Sequence, residues 1–116
     1  MEARAIARFI RMSPRKVRLV VDQIRGCSVN EAYAVLQFSN KAAADPVGKT
    51  LRSAVANAHY RAENQGEVVD VDDLIVRDAF VDGGPTLRRF RAAAMGRAAP
   101  RRRRMSHITV VVDTRE

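Results

Sequence analysis

The sequence predicts an α+β fold in which three helices pack on a small antiparallel sheet, with a long protruding β-hairpin. Helical apolar periodicity occurs three times between residues 14 and 64, and two later segments are rich in β-branched residues. An arginine-rich stretch lies between those two segments. With 116 residues, 47% of them hydrophobic, the chain is expected to form one domain over residues 1–116, with an arm at about 80–110.

The first two predicted elements are a strand over residues 2–11 and a helix that begins at Pro14. In the strand segment, small or apolar residues alternate with arginines. Ser13 can cap the free amides of the helix, and proline fits its first position. Gly26 is expected to end this helix. The apolar face consists of Val17, Val20, Val21 and Ile24, and the opposite face of Arg15, Arg18, Asp22 and Arg25. That mostly cationic face suits a phosphate backbone.

Two more helices follow. Ser28 and Glu31 form a capping box at the start of the second helix, which is expected to end near residues 39–40. The third helix has apolar residues at helical spacing from Val47 to Ala62, and Pro46 is compatible with it only in the first turn. The sequence Asn-Gln-Gly at residues 64–66 is expected to end it.

The two β-branched segments predict a hairpin whose base belongs to the sheet. They cover residues 68–81 and 108–112. If pairing continues outward from Phe80 and His107, each arm has about 13 residues and a length of roughly 40 Å. The Gly-Gly-Pro sequence at residues 83–85 predicts a bend or bulge in this ribbon.

The distribution of charge predicts a polyanionic partner. The net charge is +8, and residues 84–105 contain eight arginines and no acidic residue. Like charges repel, and an isolated two-stranded ribbon is marginal in water, so the ribbon is expected to be held by a polyanion. Guanidinium groups bind phosphates bidentately and stack on unpaired bases, which favours folded RNA. Because only 5% of residues are aromatic, recognition is expected to depend on backbone and shape rather than on a stacking platform.

Enzyme motifs are absent, and no cofactor or metal site is predicted. His59 and His107 are the only histidines, and Cys27 is the only cysteine. The acidic residues Asp70, Asp72 and Asp73 lack the glycine and terminal glutamate of a calcium loop and are expected to form a solvated loop. No apolar run approaches the roughly 20 residues of a membrane span, so a cytoplasmic protein is expected.

Two alternatives remain open at this point. A DNA-binding protein could insert a basic β-ribbon into a groove, and preference for duplex DNA together with dimerisation would identify it. A small hydrolase could use His59 or His107 with the acidic loop, although it would have no recognisable motif.

Five segments occur in an order and spacing that identify a known family. They are SPRKVRLV at residues 13–20, IRG at 24–26, ANA at 56–58, FVDGGP at 80–85 and SHITVVV at 106–112. Together they resemble the bacterial L-twenty-two family of large-subunit ribosomal proteins. At residues 92–98 the chain has AAAMGRA, whereas members of that family usually have Pro-Arg-Ala-x-Gly-Arg-Ala.

The resemblance implies a structural protein of the large subunit that binds 23S ribosomal RNA, aids assembly and lines the nascent-peptide exit tunnel with its hairpin tip. The implied partners are 23S ribosomal RNA, neighbouring large-subunit proteins and the nascent peptide. No membrane association and no homo-oligomer are expected.

Charge and resemblance together give the predicted site residues. The predicted RNA-binding residues are Arg11, Ser13, Arg15, Lys16, Arg18, Arg25, Asn57, Arg88, Arg89, Arg91, Arg97, Arg101, Arg102, Arg103, Arg104, Ser106 and His107. By resemblance, changes at Leu87, Arg88 and Arg89 alter the response to macrolides, and Met95, Gly96 and Arg97 form the tunnel-facing tip.

Overall fold

The helices and the antiparallel sheet are present in the computed structural model, which describes residues 2–92 and 94–114. Ala93 of the predicted tip lies outside the described residues. The elements in chain order are strand β1 (Glu2–Ile10), helices α1 (Pro14–Ile24), α2 (Val29–Gln37) and α3 (Ala44–Asn64), and strands β2 (Leu74–Ala92) and β3 (Ala98–Thr114). Short 3-10 segments precede β2 at Val71–Asp73 and follow it at Ala94–Gly96. The predicted fold class is confirmed.

The sheet has β3 at its centre, with β1 and β2 antiparallel on either side. Val110 of β3 lies opposite Ala5 of β1 and Ala79 of β2. The helices cover one face of the sheet, and α3 contacts β1 and β3 while α1 contacts β2. Small side chains at Ala5 on β1 and at Ala54 and Ala58 on α3 are buried in the shared core, which allows close approach of the helix to the sheet.

The predicted helix signals are confirmed with one exception. Pro14 occupies the first turn of α1, and Gly26, at φ +83°, follows its end. The Ser28 hydroxyl accepts a 3.3 Å hydrogen bond from the Glu31 N–H at the start of α2. The prediction that the Ser13 side chain caps α1 is wrong, because no such bond forms and the Ser13 carbonyl instead accepts from the N–H groups of Lys16 and Val17.

The ends of the other helices fall near their predicted positions. Pro46 lies in the first turn of α3, where its missing N–H costs no helical hydrogen bond. Gly66, at φ +71°, follows the end of α3. Helix α2 ends at Gln37, slightly before the predicted end near residues 39–40.

The hairpin extends well beyond the sheet. Pairing between β2 and β3 continues past Phe80 to the Ala92–Ala98 pair, as predicted. The first part of this length also pairs with β1, which reaches Ser106 through Ile10. The part that pairs only with itself comprises residues 86–92 and 98–104, which we call the stem; its seven pairs span roughly 20 Å.

The stem elongates the molecule. The radius of gyration is 17.5 Å and the longest dimension is 67 Å. A compact chain of this length would have a radius of gyration of about 13 Å. The protein therefore places its stem farther from the core than a compact domain could.

Ion pairs join the two edge strands of the sheet at the end opposite the stem. Arg77 on β2 contacts Glu2 on β1 at 2.8 Å and Asp113 on β3 at 3.2 Å. Burial raises the pKa of Asp113, but its favourable contacts outweigh burial and lower the pKa overall; hydrogen bonds from the Thr114 N–H and from Arg77 are among these contacts. The hydrogen bond to Asp113 and the charge of Glu2 raise the pKa of Arg77. Across the described ranges, no helix has the length and apolarity that a membrane crossing requires.

Candidate nucleic-acid interface

A cleft of about 1300 Å³ lies between the stem, the start of α1 and the loop from α2 to α3. The stem side includes residues 87, 89–91 and 101–105, and the opposite side includes residues 11–13, 16, 19 and 40–43. Among the residues that the structure describes, nine of those lining the cleft are cationic, and none is acidic. The cations are Arg11, Lys16, Lys41, Arg89, Arg91, Arg101, Arg102, Arg103 and Arg104. We call this feature the basic cleft.

The side of the cleft away from the stem is fixed by short local contacts. The Met12 N–H donates to the Ile10 carbonyl at 2.8 Å, which turns the chain from β1 into α1. The Ser106 hydroxyl donates to the Met12 carbonyl at 2.6 Å and joins this turn to β3. In the loop from α2 to α3, the Lys41 N–H donates to the Ser39 hydroxyl at 3.3 Å. These bonds hold the cations of the globular part at a set position relative to the stem.

The direction of the stem is set where β1 ends and only β2 and β3 continue. The register of β1 shifts between Ala7 and Ile10, opposite His107, and the register of β2 shifts between Gly83 and Thr86. The second shift confirms the predicted bulge. Bulges bend a strand and increase its twist, so two of them at one level aim the ribbon that leaves the sheet. We call Phe9, Gly84 and His107 the junction.

Direct contacts at the junction explain its residue types. The Phe9 N–H donates to Nδ1 of His107 at 3.1 Å, and the two rings meet edge to face with centroids 5.1 Å apart. On the other side of the imidazole, a Cβ atom on Gly84 would lie 3.3 Å from the ring and 3.2 Å from the Met105 carbonyl oxygen. A glycine therefore allows β2 to approach His107 closely.

The stem arginines have few contacts with protein groups. All of them are exposed, and none of the ion pairs found across the described ranges involves them. Arg89 donates a 3.0 Å hydrogen bond to the Arg88 carbonyl, a contact between neighbours in sequence. Arg88 and Arg97 are also exposed but do not line the basic cleft. The charge of the stem is thus presented to solvent, where an external anion can reach it.

The structure gives Arg18 and Arg25 partners that the sequence did not predict. Strand β2 is an edge strand, and the Arg18 guanidinium donates to its Val81 carbonyl at 2.9 and 3.2 Å. Arg25 donates in the same way to the Ala79 carbonyl at 2.6 and 3.0 Å and pairs with Asp22 at 2.9 Å. These two arginines satisfy edge carbonyls of the sheet. Arg15, on the same helix, is exposed, and neither it nor these two lines the cleft.

Three other predicted RNA-binding residues also have roles in the fold. Asn57 donates from its amide to the Arg4 carbonyl at 2.9 Å and so joins α3 to β1. Ser106 is fully buried, and its hydroxyl donates to the Met12 carbonyl in the turn before α1. His107 is half-buried in the junction.

The predicted tip is exposed. Met95 is 95% exposed and has a left-handed backbone, with φ 63° and ψ 33°. Gly96 follows with φ +71°, and Arg97 is exposed. Leu87 and Arg89 line the cleft, whereas Arg88 lies outside it.

Sequence reasoning missed Lys41 and Phe90 as parts of the cleft. Lys41 lies in a loop with no periodic pattern, and only the packing of α2 and α3 brings it opposite the stem. Phe90 lies in the arginine-rich stretch, where no sequence pattern indicates a role for one aromatic residue, yet it is 76% exposed within the cleft lining.

The acidic residues at 70 and 72 accept hydrogen bonds from protein groups. Asp70 accepts from the Asp72 N–H at 3.1 Å, and Asp72 accepts from the Asn30 amide at 2.6 Å. Within residues 2–92 and 94–114, no group of three or more histidine, cysteine or acidic residues is placed to hold a metal ion.

Comparison with known proteins gives consistent matches along the chain. The profile of the family described as ribosomal protein L22p/L17e matches residues 5–113. The large ribosomal subunit protein uL22 of Desulfitobacterium hafniense (strain Y51) is 57% identical over 111 residues, covering 96% of this chain and 93% of that protein. The large ribosomal subunit protein uL22 of Bifidobacterium longum (strain DJO10A) is 53% identical over 116 residues, covering 100% of this chain and 98% of that protein.

Proposed function

The chain belongs to the ribosomal protein L22p/L17e family of the large ribosomal subunit, and from that premise we propose that it binds 23S ribosomal RNA through the basic cleft and the stem. Family membership confirms two predictions: the protein is a structural component of the cytoplasmic ribosome and not an enzyme.

The observation that supports RNA binding is the one-sided charge of the cleft. Within the described part of the chain, nine cations and no acidic residue line it, and most of the cations are arginines, whose guanidinium groups bind phosphate oxygens two at a time. Neutralising RNA phosphates releases counterions, which is the main source of affinity for such a surface. The same neutralisation removes the repulsion among the stem arginines.

The shape of the cleft gives binding a second consequence. Its cations come from the stem on one side and from Arg11, Lys16 and Lys41 on the other. RNA held between the two sides is clamped against both the stem and the globular part. The protein thereby ties RNA segments together and aids subunit assembly, with neighbouring large-subunit proteins as further partners.

The proposed contacts are the residues that line the cleft or lie beside it. In the cleft they include Ser13 and the nine cations, and around it the exposed residues Arg15, Arg88 and Arg97, with His107 at the junction. Arg18, Arg25 and Asn57 have hydrogen-bond partners in the protein, and Ser106 is buried, so we assign these four to the fold.

The tip of the hairpin is proposed to line the nascent-peptide exit tunnel. Its support is the family assignment together with the exposure of Met95 at the far end of the stem. Leu87, Arg88 and Arg89 on the stem are the proposed positions at which changes alter the macrolide response. A photoreactive side chain at Met95 in assembled ribosomes should crosslink to a stalled nascent peptide, whereas one at the exposed position Val68 should not.

Competition binding tests the RNA proposal. Labelled 23S ribosomal RNA domains are mixed with the protein and with excess duplex DNA or transfer RNA at about 0.2 M salt, where non-specific binding weakens. We expect one 23S region to be retained, with a log–log salt slope near −5 to −7 if six to eight phosphates are neutralised. Equal competition by all three nucleic acids, or a shallow slope, would contradict the proposal.

A matched pair of variants locates the surface. Arg89→Gln with Arg101→Gln removes two charges that face each other across the stem. Lys49→Gln with Arg52→Gln removes two exposed charges on α3 that do not line the basic cleft. The first variant should weaken binding and the second should leave it unchanged, although their net charges are equal.

A further inference from the structure

Phe90 has an unusual position for an exposed aromatic residue. It is 76% exposed on the stem, opposite Pro100, and it lines the basic cleft between Arg89 and Arg91. Phe9, by comparison, has its ring against His107. Single exposed apolar residues are common on protein surfaces, but this one lies in a concave site whose charged residues are all cationic.

The neighbouring charges indicate what can cover the ring. Successive strand residues point to opposite faces, so Phe90 shares its face of the stem with Arg102, which pairs with Arg88 two positions away and also lines the cleft. A phosphate bound by Arg102 would keep the bases of that strand within reach of the ring. A phenylalanine ring presents a flat apolar face, and every nucleobase has a matching π-face. A base inside a regular duplex is stacked on both sides by its neighbours and has no free face to offer. The fitting occupant is therefore an unpaired base.

The volume of the cleft is large enough for an unpaired base. Pockets for drug-sized ligands have volumes of about 300–1000 Å³, and a single nucleotide is in that size class. At about 1300 Å³ the basic cleft has room for a nucleotide and for parts of the phosphates beside it.

We propose that Phe90 stacks on an unpaired base of the RNA in the basic cleft, so that the cleft selects a single-stranded or bulged segment rather than continuous duplex. This inference rests on the proposed binding of 23S ribosomal RNA. It replaces the expectation, drawn from the low aromatic content, that recognition depends on backbone and shape alone. One ring provides a stacking site that composition could not indicate.

The absence of tryptophan from the chain allows a direct test. In the full-length Phe90→Trp variant, all tryptophan emission comes from the cleft. Stacking on a base quenches tryptophan emission, so the retained 23S fragment should quench this variant. The control is Phe38→Trp, because Phe38 is 86% exposed and does not line the cleft. Its emission should change little with the same RNA.

Affinity measurements complete the test. Phe90→Leu should weaken binding of the retained 23S fragment by at least about fivefold, because stacking contributes at that level or more per base. Phe90→Tyr keeps the ring and should bind like the unmodified protein. The salt slope should be the same in all three, since no ionic contact is removed. A fully paired RNA hairpin should compete poorly.

The outcomes separate the two proposals. If the unmodified protein retains one 23S region but Phe90→Trp is not quenched and Phe90→Leu binds equally well, stacking is refuted and the proposed function stands. Equal competition by a fully paired RNA also refutes the selection of unpaired bases. If the unmodified protein shows no preference for any 23S region, the proposed function fails, and the stacking inference fails with it.

Discussion

The sheet base and the stem are continuous parts of the same two strands, yet the arginines at the base and the arginines on the stem have different partners. Beside and within the base, Arg18, Arg25 and Arg77 bind carbonyl or carboxylate oxygens of the protein. On the stem, the arginines are exposed and, within the described residues, take part in none of the ion pairs. The base is thus stabilised by its own contacts, whereas the stem presents charge for a partner.

The difference teaches that net charge alone does not identify a binding surface. Arg18 and Lys16 are close in sequence and both are exposed on α1, but only Lys16 lines the basic cleft. A cation whose donors satisfy edge carbonyls contributes to folding. A cation without such partners is available to RNA.

The largest effect is expected when the stem loses its charge. Replacing Arg101, Arg102, Arg103 and Arg104 together with glutamine should weaken RNA binding on the order of a thousandfold at about 0.1 M salt, because four phosphate contacts are lost. The free energy of unfolding of the free protein should not fall, since only like charges are removed. Filter binding and urea unfolding measure the two quantities. A large loss of stability would show that the stem contributes to the fold.

The opposite pattern is expected in the base. Ile108 is fully buried beneath the helices, and Ile108→Ala should cost about 2–5 kcal/mol of unfolding free energy through lost burial and a cavity. Urea unfolding measures this cost, and Val68→Ala, at an exposed position, is the control. If Ile108→Ala were as mild as the control, the proposed core would be wrong.

A smaller loss is expected from the arginines that bind β2. Arg18→Gln removes a guanidinium that donates twice to the Val81 carbonyl and should cost about 1 kcal/mol of unfolding free energy. Arg15→Gln, which changes an exposed arginine of the same helix, should change it by less than about 0.5 kcal/mol. If the two variants had equal free energies of unfolding, the hydrogen bonds from Arg18 to β2 would not stabilise the fold.

The smallest effect is expected from the ion pairs at the far end of the sheet. The folded state lowers the pKa of Asp113, so its charged form stabilises the protein above the unfolded pKa of about 3.9. That contribution is lost as the pH falls through the lower, folded value. Asp113→Asn should therefore be slightly less stable than the unmodified protein at pH 7, and the difference should vanish in acid. A difference that is independent of pH would contradict this assignment.

Much of the fold was predictable because its signals are local. Apolar periodicity defined the three helices, Pro14 and Gly26 marked the ends of α1, and the Gly-Gly-Pro sequence marked the β2 bulge. The basic cleft was predictable only in part. A periodic pattern shows which helix face is polar but not which element that face meets, so the partners of Arg18 and the position of Lys41 required the tertiary structure.

The most direct test of the division between the two sets of cations compares two double variants by the salt dependence of their binding to 23S ribosomal RNA. Lys16→Gln with Lys41→Gln removes cleft cations, and Arg18→Gln with Arg25→Gln removes cations that bind β2. We expect the cleft variant to reduce the log–log slope by about 1.5 with unchanged stability, and the other to keep the slope and lose stability. Equal slopes in the two variants would contradict the division.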